Sequence, residues 1–293
     1  MPSLDDLKKR IKSVKSTQKI TKAMKMVAAA KLRKAQENAE KGRPYSQKMQ
    51  NIILNLTKSI SDPENAPKLL VGTGKDKTYL CVVLTADRGL CGGFNSNICK
   101  LAKSNFKKIL RDGKNLKIIT VGSKGLDQIK RDYGKYIVKK FSFKEKKQIS
   151  FSEADLIGKE IINLFDNEEF DICKLFYNNF KNVITQIPQA QQIIPAIKKD
   201  SSDKQEKNST YYEFEPEEDE ILEDLLPKNI STQLFKAFLE NAASEQGSRM
   251  TAMDNATRNA GDLVDKLTIN YNRSRQASIT KELIEIISGA ESL

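Results

Sequence analysis

Histidine is missing from this chain altogether, and with it go the commonest general base and a frequent neutral metal ligand. Cysteine is sparse: Cys81, Cys91, Cys99 and Cys173 show no CxxC spacing, which argues against a zinc site and leaves four reduced thiols in a core. No apolar run approaches the roughly 18 residues that a membrane helix needs, and Asp5 and Asp6 interrupt any signal-peptide core. The expectation is a soluble chain with no direct membrane insertion. Between Ser3 and Lys41 there is neither proline nor glycine, and between Lys8 and Lys34 there is no acid.

What fills that first stretch is a coiled-coil pattern. Leu4, Leu7, Ile11, Val14, Ala28, Leu32 and Ala35 recur alternately three and four apart, and Leu239, Ala242, Met253, Ala256, Ala260, Leu263, Leu267, Ala277 and Ile284 do the same near the other end. Two long helices from opposite ends, joined by a folded insert, predict an antiparallel rod bearing one globular domain. The length of 293 residues leaves one domain-sized core once the helices are subtracted. The first helix is expected to stop near Lys41-Gly42-Arg43-Pro44, where glycine caps and proline disfavours helix before it, and to resume from Tyr45 to about Ser59.

A different period governs the middle. Thr78 to Ala86, Leu116 to Val121, Tyr136 to Phe143 and Phe170 to Tyr177 are β-rich, and helical stretches such as Ser96 to Leu110 and Ser152 to Phe165 separate most of them. Strands alternating with helices predict βαβ units and a mostly parallel, Rossmann-like sheet. Ser152 with Asp155 reads as a capping box. Asn182 to Ile194 reads as an edge strand, because Pro188 removes a ladder donor. The polar stretch from Lys198 to Ser209 reads as a loop, acids cluster from Glu213 to Asp224, and Pro227 precedes the long closing helix. The resulting fold class is α/β, with an antiparallel coiled coil of the terminal helices. Its parts are 1–59 for the first helix, 75–197 for the α/β domain and 211–293 for the remainder.

Chemistry is scarce. The glycine-rich turn Asp87-Arg88-Gly89-Leu90-Cys91-Gly92-Gly93 fits neither GxGxxG nor GxxxxGK[ST], and Gly72-Thr73-Gly74-Lys75 lacks half of a Walker loop. No cofactor or catalytic constellation is expected. The basic face is more telling: Lys8, Lys9, Arg10, Lys12, Lys15, Lys19, Lys22, Lys25, Lys31, Arg33 and Lys34 share one helix without an acid, and the whole chain carries a formal charge of +12. Like charges four apart each destabilise a helix by roughly 0.2–0.5 kcal/mol, so an acidic partner is expected beside it. The seam also weakens at Gln18, Thr21, Lys25, Gln246, Arg249, Asn270, Ser274 and Lys281, which predicts surrounding protein. Leu283, Ile284, Ile286 and Ile287 are apolar on several faces, which predicts an inserted tip.

Three segments carry a resemblance to a known family. Arg10 to Leu32, Asp87 to Asn95 and Ile279 to Ala290 are similar, in this order, to the signatures of the gamma subunits of F-type ATP synthases, the central stalk that turns inside a hexamer of alpha and beta subunits. The resemblance implies a non-catalytic rotor present in one copy per complex. It would couple ion-driven rotation of the membrane c-ring to ATP synthesis and hydrolysis. It also implies contacts to beta at Met24, Lys25, Arg275 and Gln276, a hydrophobic bearing around Ile284, Ile286 and Ile287, a foot on the c-ring at Tyr212 and Glu215, and epsilon docked on the α/β domain. Without a transit peptide, the implied place is the cytoplasmic side of a bacterial inner membrane, as a peripheral protein. A basic coiled-coil nucleic-acid-binding or scaffold protein is the alternative, as is a nucleotide-dependent enzyme with helical arms. The absence of interleaved aromatics on the basic helix argues against nucleic acid.

Overall fold

The computed structural model describes residues 3–59, 67–146, 149–196 and 218–291. Helices α1 (Leu4–Ser59) and α6 (Glu218–Glu291) flank, in sequence, a short helix α2 (Lys68–Val71) and an alternation of strands and helices. That alternation runs β1 (Thr78–Leu84), α3 (Phe94–Arg111), β2 (Asn115–Val121), α4 (Ser123–Tyr133), β3 (Ile137–Phe141), α5 (Phe151–Asp166), β4 (Ile172–Phe180) and β5 (Gln186–Ile194), with a 3₁₀ turn at Gly134–Tyr136. Two compact units emerge, one from Met1–Ala30 with Arg249–Leu293 and one from Lys31–Ser248.

In the second unit the sheet has the order β3-β2-β1-β4-β5, parallel except for β5. Period-two alternation assigns its faces. Tyr79, Cys81 and Val83 of β1 pack with Ile98, Ala102 and Phe106 of α3 and Ile129 of α4. Leu80, Val82 and Leu84 pack on the other face with Ala154, Ile157 and Ile161 of α5 and with Ile230, Leu234 and Phe238 of α6. Strand β1 is buried along nearly its whole length, as a central parallel strand covered on both faces must be. At the carboxyl ends of β1 and β2 the backbone approaches closely. A Cβ on Gly122, whose φ is +97°, would lie 2.3 Å from the Thr85 carbonyl oxygen. The four cysteines are free and buried, and burial pushes the Cys81 thiol up to about 12.

Both long helices run through their prolines, contrary to the sequence reading. Pro44 lies inside α1 and Pro227 inside α6. Tertiary contact explains each. Before Pro227, Leu222 and Leu226 are fully buried with Met49, Ile53, Leu56 and Leu70, so helix is required on both sides of it. Before Pro44, Gly42 lies so near α6 that a Cβ would stand 2.8 Å from Leu239 Cδ1, and Arg43 is bonded to Glu240. A proline in a helix interior costs about 3 kcal/mol, an amount that such packing offsets. The capping box is also displaced by two residues: Ser150, not Ser152, caps α5, and its amide donates to Glu153 Oε2 at 2.7 Å. Asp155 instead accepts from Ser231 and pairs with Lys159.

Candidate functional site

In the first unit the opening segment of α1 and the last segment of α6 pair antiparallel. Thr257 Oγ1 lies 2.8 Å from Thr21 Oγ1, and Lys25 Nζ lies 2.6 Å from Asp254 Oδ1. Gln18 reaches Gly261, where an added Cβ would stand 3.0 Å from its amide nitrogen. At Gln18, Thr21 and Lys25 the weak part of the seam is therefore a polar layer between the two helices. Thr21 is buried, with Leu7 and Ala28 of α1 and Met253, Ala260, Val264 and Leu267 of α6. The predicted seam is off by one residue at Leu263, which is 40% exposed while Val264 is buried; Leu267 is buried as expected, and Ala277 and Ile284 are exposed.

Lys25 thus spends its charge within the pair. Its ammonium holds the Asp254 carboxyl below the usual carboxylate range. Met24 beside it is half-buried. The rest of the basic face stays open: Lys8, Lys9, Arg10, Lys12, Lys15, Lys19, Lys22, Lys31 and Lys34 are exposed and, among the described residues, have no carboxylate within 4 Å. Ile20, Met26 and Val27 are also more than half exposed on this helix.

Residue numbers sum to 278 at Thr21–Thr257 and 279 at Lys25–Asp254, and that register carried to the start of α1 sets Leu4 near Arg275. Past that point α6 has no partner helix among the described residues, and at a rise of about 1.5 Å per residue the segment to Glu291 extends roughly 24 Å. Arg275 and Gln276 are exposed where the pair ends. Leu283, Ile284, Ile286 and Ile287 beyond it are 54–68% exposed. The structure brings Met24 and Lys25 onto the paired portion and separates them from the apolar overhang. Tyr212 and Glu215, and the 198–209 loop, lie outside the described residues.

The carboxyl end of a doubly wound sheet, where the strand order reverses, is the ordinary ligand crevice of such folds. Here that point lies between β1 and β4, and the loops that follow β1, β2 and β3 are bonded to one another. Asp87 accepts from the Ser123 and Phe143 amides and from the Ser142 hydroxyl, at 2.8–3.0 Å. Asn95 accepts from the Ala86 amide at 2.9 Å, and Ser248 of α6 donates to the Cys91 carbonyl at 2.6 Å. Within the same unit, Arg43, its side chain 37% exposed, and the buried Glu240 form a pair that sequence reading missed. The available signal was an acid at Glu240, three residues after Ala237 on the stripe of α6 that covers the sheet.

A mostly parallel α/β sheet inserted in sequence between helices of 56 and 74 residues, the second of which ends in an apolar overhang without a partner helix among the described residues, defines a coiled-coil-bearing scaffold class. The sequence profile described as ATP synthase matches residues 3–293. The chain is similar to the ATP synthase gamma chain of Pelagibacter ubique, at 73% identity over 100% of both chains, and to that of Sinorhizobium medicae, at 58% over 100% of both. In structure it is similar to the central stalk and c-ring component of Tetrahymena thermophila mitochondrial ATP synthase, with TM-score 0.60, 27% identity and coverage of 81% of this chain and 99% of that one. A chain of the Euglena gracilis enzyme shares the fold, with TM-score 0.69 at 20% identity over 99% and 94%. The chain belongs to the ATP synthase gamma chain family.

Proposed function

We propose that this chain is the central-stalk rotor of an F-type ATP synthase, non-catalytic itself, and that it couples ion-driven rotation of the c-ring to conformational change in the alpha/beta hexamer. The observation that carries the reading is the division of the first unit into a pair with an open basic face and a bare apolar overhang. A shaft shifts a partner's equilibrium only if it contacts the partner's conformations unequally. The two features offer two different kinds of contact. The nine unpaired cations supply distributed attraction to acidic loops of beta, with Met24 and Lys25 along the same stretch. Arg275 and Gln276, placed where α1 ends, supply directional hydrogen bonds to beta at one rotational stop. Ile284, Ile286 and Ile287 sit in a hydrophobic bearing, Tyr212 and Glu215 form the foot on the c-ring, and epsilon docks on the α/β domain of 75–197.

The place of action is the cytoplasmic side of a bacterial inner membrane, as a peripheral part of the complex. Among the described residues no helix is long and apolar enough to cross a membrane. The nucleic-acid and enzyme alternatives draw no support from the relatives, which are ATP synthase gamma chains. The test is ATP-driven ion pumping in inverted membrane vesicles whose complex contains or lacks this chain. Pumping that depends on the chain is expected. Pumping of equal strength per ATP hydrolysed in its absence would refute the reading.

A further inference from the structure

Strand β4 outruns its parallel neighbour. The last residue of β4 paired with β1 is Phe176, opposite Val83, yet β4 continues to Phe180. On the open side beyond Phe176, backbone groups have no strand to bond to. Side chains of the two long helices take its place. Asn241 of α6 accepts from the Asn178 amide at 3.2 Å, and Ser244 donates to the Asn178 carbonyl at 3.0 Å. Glu240 Oε2 accepts from the Phe180 amide at 3.0 Å, and Arg43 Nη2 of α1 donates to the Phe180 carbonyl at 2.9 Å. The guanidinium and carboxylate then close on each other, with Nε to Oε1 at 2.6 Å and Nη2 to Oε2 at 3.0 Å.

One ion pair therefore joins three elements and completes the hydrogen bonding of one strand end. The Glu240 side chain is only 3% exposed, and its bond to Arg43 raises the guanidinium pKa still further. The Arg43 side chain stays 37% exposed, so the pair is half-buried and adds little net stability, and the best-attested use of such pairs is to fix register. The local sequence points the same way, since α1 runs unbroken through Gly42 and Pro44, residues that weaken a helix, directly beside Arg43. We infer that the Arg43–Glu240–Phe180 node is the joint that locks α1 and α6 to the sheet, so that force applied to the sheet domain turns the helices instead of sliding them. Arg43 and Glu240 are positioning residues in this role, which rests on the rotor reading above.

The test uses the complete ATP synthase in inverted membrane vesicles carrying Arg43→Lys or Glu240→Gln. Lysine keeps the charge but its single ammonium cannot bond Glu240 through two nitrogens while also holding the Phe180 carbonyl. The expected result is ATP hydrolysis within about twofold of the parent, with ions pumped per ATP hydrolysed reduced at least threefold, and more so against an opposing potential. A pumping-to-hydrolysis ratio equal to the parent's would overturn the inference. So would hydrolysis and pumping falling together in proportion to assembled complex, the signature of a merely structural role. If neither variant assembles, Ser244→Ala, which removes one hydroxyl from the same strand end, decides: an intermediate ratio supports the joint and a parental ratio overturns it. Complex lacking the chain separates the two readings. Pumping retained there defeats the rotor reading, whereas pumping lost there but normal in Arg43→Lys defeats the joint alone.

Discussion

Replacing Ile284 and Ile287 with serine tests the apolar overhang directly. Full burial of an isoleucine side chain is worth about 1.5–3 kcal/mol relative to exposure. The two side chains are 57% and 58% exposed, so insertion into a bearing leaves roughly 1–1.5 kcal/mol available from each. The pair together should contribute about 2–3 kcal/mol to association, or roughly 30- to 150-fold in affinity at 1.4 kcal/mol per tenfold. The assay is dissociation of the chain from the alpha/beta hexamer on dilution, followed by native mass spectrometry. The control is thermal unfolding of the isolated full chain. Because both positions are exposed and no helix among the described residues faces them, the control should not move. Unchanged retention in the hexamer would refute the bearing. Equal destabilisation of the isolated chain would show that the overhang packs on its own protein instead.

Three further expectations follow from the same geometry. Arg275→Ala combined with Gln276→Ala should slow ATP turnover and synthesis while leaving the complex assembled; unchanged rates in both directions would exclude a directional contact at the end of the pair. In the polar layer, Thr21→Val and Thr257→Val should each cost about 1 kcal/mol, while the double variant, having two methyls in place of a bonded hydroxyl pair, should cost less than the sum. Hydrogen exchange of α1 amides in a double-mutant cycle measures this, and simple additivity would show that the hydroxyls act independently. The bond from Lys146, then those from the Ser150 hydroxyl and amide, bring Glu153 from its ordinary 4.5 to about 2. A depressed acid stabilises above its unfolded pKa, so this contribution is intact at pH 6 and fades as pH falls from about 4.5 toward 2. Denaturant midpoints across that window should fall less steeply with acid in Glu153→Gln, and identical slopes would dismiss the cap as a source of acid lability.

How far the sequence could be read depended on whether a signal was local. The strands of the sheet announce themselves by β-rich apolar runs, and the end helices by their three-four spacing, because burial on a sheet face or along a seam imposes those periods wherever they occur. Pro44 and Pro227 misled because their penalty is local while the compensation is remote: Leu239 and Glu240 hold the first region, and Leu70 and Leu56 the second. The capping box was displaced because Ser150-x-x-Glu153 and Ser152-x-x-Asp155 offer overlapping frames, and Lys146 selects the first. Leu263 and Val264 are adjacent apolar residues, so period alone leaves the seam uncertain by one position. The partner of Lys25 was hidden for another reason. Asp254 lies more than two hundred residues away, and only the register of an assembled pair brings them together.

That register bears on what the basic face can do. Reversing a 1:99 population requires about 5.5 kcal/mol of differential binding. With Lys25 and Arg33 already engaged, nine open cations remain on α1 between Lys8 and Lys34, while α6 mixes signs at Asp254, Arg258, Asp262, Asp265 and Lys266. The pair is therefore electrostatically lopsided, attracting acidic neighbours on one flank and not the other. Exposed ion pairs contribute about 0.2–1 kcal/mol each, so even nine simultaneous contacts near 0.5 reach only about 4.5 kcal/mol, and screening over a Debye length of about 8 Å reduces that at physiological salt. Charge alone falls short of a full reversal. Under the proposed function, contacts at Arg275 and Gln276 and at the exposed apolar residues would have to supply the rest. Raising salt from about 0.05 to 0.5 M should accordingly weaken coupling between hydrolysis and pumping several-fold without abolishing it, whereas complete loss would mean that electrostatics carries the whole asymmetry.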